Sequence, residues 1–122
     1  MKRLILLFAI FLFLSSCEKK DVLVPENEIP VWLKNQIKNY ELALQQNPDQ
    51  YVANGIAWIR YKWNGKYYFE LRNMISSSFA YPISFDQDTL KVCPVCLGTD
   101  YHDNKCCKQF AWKGPNYIDT ED

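Results

Sequence analysis

The chain has 122 residues, with 14 basic and 14 acidic side chains, one histidine and five cysteines. That length holds one domain, and a balanced charge without a basic stripe excludes electrostatic capture of nucleic acid. Trp32, Trp58, Trp63 and Trp112 supply core material in a domain small enough for covalent staples to matter.

Lys2 and Arg3 precede an uninterrupted apolar run from Leu4 to Leu14. That run has the length of a signal-peptide core, whereas a bilayer-spanning helix needs about 20 apolar residues. Leu14-Ser15-Ser16-Cys17 then resembles the bacterial lipobox, whose cysteine is acylated and becomes the first mature residue. The expectation is a lipoprotein signal peptide over residues 1–16 and lipidation, palmitate included, of Cys17. A plainer alternative is an ordinary secretory leader cut near Ser16, leaving Cys17 as a free thiol. The leader carries two of the basic residues, so 12 remain against 14 acidic ones, a net charge of −2 with His102 neutral. Each buried methylene contributes about 0.8 kcal/mol, so one acyl chain anchors marginally and two or more anchor stably.

Residues 17–28, with Pro25 and a polar end, read as a short lipidated tether to a single domain over residues 29–122. Ile29 to Gln46 predicts a helix. Pro30 suits the first turn, Leu33, Ile37, Tyr40 and Leu44 form one stripe of a 3.6-residue period, and Asn47-Pro48 stops it. Ile56 to Arg72 predicts a hairpin around Asn64-Gly65. An apolar face of Ala57, Ile59, Tyr61 and Trp63 should match Tyr67, Phe69 and Leu71. That match needs a three-residue turn, Trp63 to Gly65, because a one-residue slip turns every side chain over.

Phe79, Tyr81, Ile83 and Phe85 alternate around Pro82, which predicts an edge strand. Asp86 to Thr89 reads as a turn and Leu90 to Cys93 as the partner strand. The fold class is therefore α+β. One N-terminal helix packs on a small antiparallel sheet, over the face of Ile59, Tyr61, Phe69 and Phe85, with a cysteine-stapled C-terminal segment.

Cys93, Cys96, Cys106 and Cys107 fall within fifteen residues. In an exported chain they first suggest two disulfides, each contributing about 3 kcal/mol in the chain-entropy model. Pairs between the two clusters fit ordinary geometry better than a vicinal Cys106-Cys107 bridge. A zinc site from these four and His102 is an alternative, weakened by adjacent cysteines that project differently. A redox pair at Cys93 and Cys96 is another, weakened by the absence of a following helical period. No metal, cofactor or catalytic constellation is assigned, since His102 is the one histidine and no phosphate loop occurs.

The lipobox, Pro30-x-Trp32-Leu33, Tyr67 and Tyr68 beside Asn-Gly, Phe85-Asp86 and the cysteine-bearing C-terminal segment together resemble a group of small Bacteroidota lipoproteins of uncharacterised function. The resemblance implies an outer-membrane lipid anchor facing periplasm or cell exterior. Glu18 and Asp21 resemble the acidic export signal of such proteins, and Asp88-Thr89-Leu90 resembles their O-glycosylation acceptors, with Thr89 modified. The favoured function is a non-enzymatic binding or structural role toward an envelope protein or glycan, with Trp58 and Tyr68 either exposed as its contacts or packed under the C-terminal segment. The alternatives are an envelope thiol-disulfide oxidoreductase using Cys93 and Cys96, or a small zinc-binding module.

Overall fold

The computed structural model describes residues 21–49, 51–74, 80–92 and 99–119. Its frame is the hairpin of β1 (Ile56–Trp63) and β2 (Lys66–Asn73). Asn64 and Gly65 take φ of 52° and 77°, the two left-handed residues that a two-residue turn of type I′ demands. Trp63 pairs with Lys66, Tyr61 with Tyr68 and Ile59 with Glu70. The expected three-residue turn is therefore wrong.

The reason lies in the neighbours. The sheet order is β3 (Ile83–Ser84), β2, β1, β4 (Cys106–Lys113), antiparallel throughout. β1 is central, and Ile56 through Tyr61 are all buried. Alternation selects a register only when one face meets water. Here both faces are covered, and Glu70 finds charged partners.

One face carries Trp58, Phe69 and Leu71, and the helix α1 (Val31–Gln46) lies on it. Pro30 is the N-cap, and the Asn47 N–H closes the last turn onto the Ala43 carbonyl at 2.9 Å. Leu33 is wholly buried against Trp58 and Phe69, with Ile37 and Tyr40 beside it. Trp32 meets Trp58 and Phe69 edge-on at 5.7 and 6.0 Å. The helix stripe was expected to cover Ile59 and Tyr61. Those residues instead line the opposite face with Ala57 and Phe110, with Tyr117 packed against them.

That second face is built by segments whose structure the sequence reading left open. A short helix after β2 and β3, α3 (Asp100–Asn104), buries Tyr101, while α2 (Tyr51–Asn54) precedes β1. β4 zips onto the free edge of β1 with register shifts after Trp58 and Arg60. β3 sits at the opposite edge behind buried Pro82, as proline requires. Its return is a bridge from Ile83 to Thr89 and a hydrogen bond from Leu90 N–H to the Pro82 carbonyl, 2.8 Å, rather than a full partner strand. Phe79 and Cys93 lie outside the described residues.

The fold also begins earlier than expected. Val24 N–H donates to the Phe110 carbonyl at 2.9 Å and Phe110 N–H to the Val22 carbonyl at 2.8 Å, a parallel bridge on the outer edge of β4. Val24 is buried. Residues assigned to the tether are thus part of the sheet, and Asp21 pairs with Lys113.

Gly114 ends β4 against α2. A Cβ placed there would stand 2.4 Å from the Ala53 carbonyl oxygen and 2.6 Å from that of Asn54. Backbone cannot yield as a side-chain tip can, so Gly114→Ala is expected to destabilise by about 2–3 kcal/mol. Urea unfolding of the purified variant measures it, and Gly65→Ala, costly through its φ alone, provides the comparison.

Candidate functional site

Arg60 interrupts an otherwise apolar run in β1, and its side chain is only 4% exposed. A buried guanidinium must be paired. Its Nε and Nη2 donate to Gln109 Oε1 on β4, the former at 3.1 Å. Nη1 stands 3.6 Å from Glu28 Oε1, and the carbon of the guanidinium lies 3.9 Å from the centre of the Tyr67 ring. These contacts fix Tyr67 in orientation, a cation–π arrangement that gains strength from desolvation.

Tyr67 and Arg60 belong to the hairpin end of the α1 face. There a groove of about 590 Å³ opens, with Phe69 also in its lining. Asn27 and Glu28 form one wall, ahead of α1. Ser84, Phe85 and the turn through Leu90 form the other. The first turn of α1 holds that second wall, because the Trp32 indole N–H donates to the Phe85 carbonyl at 3.0 Å. The Phe85 side chain is left 49% exposed beside Tyr67 at 37%. Asp86, Asp88 and Lys66 complete the charged lining. The volume lies in the usual range for a small-ligand site, and its mixture of ring faces and a few polar groups is the usual chemistry of one.

No family model, curated protein or solved structure matches the chain.

A second charged cluster lies on the other face. Glu70 is 5% exposed and accepts from the Tyr101 hydroxyl at 2.7 Å and from Lys105 Nζ at 2.9 Å, while Arg72 Nη2 lies 3.1 Å from its other oxygen. Burial, then the Glu70 charge and hydrogen bond, push the Tyr101 phenol far above its ordinary range. It stays protonated and serves as a donor that docks α3 onto the sheet.

The residues singled out by sequence are dispersed. Cys17, Cys93 and Cys96 lie outside the described residues. Cys106 and Cys107 are joined to each other, not to the other cluster as expected. Cys107 has φ of 65° at the point where the register of β4 on β1 shifts, so the usual strand alternation that would separate the two side chains does not apply. That bond withdraws both thiols from the zinc set, and no group of three metal-ligating side chains occurs among the described residues. His102 sits on α3 with its ring against Tyr101, centroids 5.2 Å apart. Trp58 and Tyr68, read as either exposed contacts or packed residues, are 3% and 8% exposed, which excludes the contact reading. Trp58 lies under α1, and Tyr68 packs on Trp63 and Tyr101. Thr89 is exposed on the rim of the groove, open to a modifying enzyme.

Sequence reasoning missed Arg60, Glu28 and the role of Tyr67. The available signal was the single arginine inside six otherwise apolar positions, which in a buried strand requires a dedicated environment.

Proposed function

We propose that the protein is an envelope lipoprotein, held to the outer membrane by acyl chains on Cys17, which presents the groove between Tyr67 and Phe85 as a binding surface. The leader pattern of Met1 to Cys17 supports the anchor. Among the described residues no helix is long and apolar enough to cross a membrane. One observation carries the reading: among the described residues the first backbone pairing is at Val22, five residues after the acylatable cysteine. At roughly 3.5 Å per residue the domain is held within about 18 Å of its lipid. A module so closely tethered acts at the membrane surface, and its groove supplies the contact that a purely structural spacer would not need.

The test is metabolic labelling of the full chain with palmitate, followed by fractionation. The wild type is expected to carry label and to sediment with membranes. Cys17→Ser is expected to lose the label and to keep the uncleaved leader, seen as a larger intact mass, because acylation of the cysteine precedes cleavage. An unlabelled wild-type chain recovered in the soluble fraction refutes the anchor.

A further inference from the structure

We infer that the groove takes a neutral oligosaccharide, an inference that rests on the binding role proposed above and names its ligand class. An anionic ligand, whether phosphate or carboxylate, is best received by a guanidinium fork. The fork of Arg60 is buried and turned to protein partners: Nε and Nη2 donate to Gln109, and Nη1 faces Glu28 at 3.6 Å. Lys66 is then the remaining cation of the lining, set against Asp86 and Asp88. An anion would meet more repulsion than attraction.

A cationic ligand fails for the opposite reason. Aromatic–acidic sites hold cations over a ring face, but the ring of Tyr67 already has the Arg60 guanidinium 3.9 Å from its centre and Lys62 Nζ at 5.7 Å. A third positive charge there would be repelled.

What remains is an uncharged ligand with one apolar face and a polar edge. A pyranose has both: a patch of C–H groups that can lie on an aromatic ring, and a rim of hydroxyls. Phe85 and Tyr67 offer the platforms: the Tyr67 ring is held by Arg60, and the Phe85 backbone is held by the bond from Trp32 to its carbonyl. Preorganised surfaces lose less on binding. Asp86 and Asp88, exposed in the turn, can accept from adjacent hydroxyls in charge-assisted hydrogen bonds, and Lys66 can donate.

The test is isothermal titration of the full chain, in a detergent without a sugar headgroup, against maltohexaose, cellohexaose, chitohexaose, xylohexaose and mannohexaose. Hexagalacturonate and hexalysine form the anionic and cationic arms. At least one neutral hexasaccharide is expected to bind saturably below ~10 mM. Tyr67→Ala and Phe85→Ala should each weaken that binding by about tenfold or more. Tyr67→Phe should retain it, since the ring and its contact with Arg60 remain, and this variant separates loss of the platform from loss of the fold. Absence of binding by all five neutral probes overturns the inference, as does preference for hexagalacturonate or hexalysine, or unchanged affinity in Tyr67→Ala. Palmitate content of the same preparation, read by intact mass, reports the anchor independently, so failure of the sugar arm and failure of the lipoprotein reading are told apart.

Discussion

Glu70→Ala is expected to cost the domain about 3 kcal/mol, because it leaves two partly buried cations and a buried phenol without their shared acceptor. The Tyr101 hydroxyl, Lys105 Nζ and Arg72 all converge on its two oxygens. In a domain of this size that loss corresponds to a fall in Tm of roughly 15 °C or more. Lys105 and Tyr101 belong to the segment entering β4, so its docking against β1 should loosen first. Glu70→Gln makes the contrast: its amide oxygen can still accept from Tyr101 but offers no charge to Lys105, and its cost should be smaller. Thermal unfolding of the two variants beside the wild type decides the matter. Equal and slight effects would mean that water reaches the cluster and the carboxylate is not the hinge of the second face.

The same residue explains where reading the sequence stopped short. The helix over Val31–Gln46, the hairpin around Asn64-Gly65 and the edge position of the strand after Pro82 were all legible, because each depends on local signals: a period, a turn dipeptide, a missing N–H. The hairpin register was not. It was inferred from alternation, which assumes that a glutamate at position 70 seeks solvent. Glu70 is instead buried by Tyr101 and Lys105, residues more than thirty positions away whose arrival no local pattern announces. β4 escaped notice for a related reason. Cys106 to Lys113 alternates poorly because a bulge with Cys107 at positive φ interrupts it, and cysteines drew attention to bonding rather than to pairing. The groove was half visible. Tyr67, Phe85 and Asp86 stood out as a Tyr-rich hairpin and a Phe-Asp turn, but their meeting depends on Trp32 reaching Phe85 across 53 residues. A long-range contact of that kind is a property of the packed sheet and not of either segment.

Truncating one aromatic on each face tests whether the sheet has two cores. Phe69 is fully buried under α1, and Phe110 is 4% exposed on the opposite side against Tyr117 at 6.3 Å. Phe69→Ala and Phe110→Ala should each cost about 3–5 kcal/mol, the ordinary range for deleting a buried phenyl ring. A sheet with one wet face would give that cost for Phe69 alone. The two variants should also differ optically. Removing Phe69 frees Trp32 from an edge contact at 6.0 Å and unsettles its neighbour Trp58, so near-ultraviolet circular dichroism should lose tryptophan intensity. Phe110→Ala leaves that pair intact and should change the signal little. Because Phe69 also lines the groove, its truncation would widen the floor beneath Tyr67 at the same time as it loosens the helix. Loss of ligand binding in Phe69→Ala would therefore follow from either cause, which is why the binding role has to be judged on Tyr67 and Phe85, whose exposed rings can be removed with the core beneath them left in place.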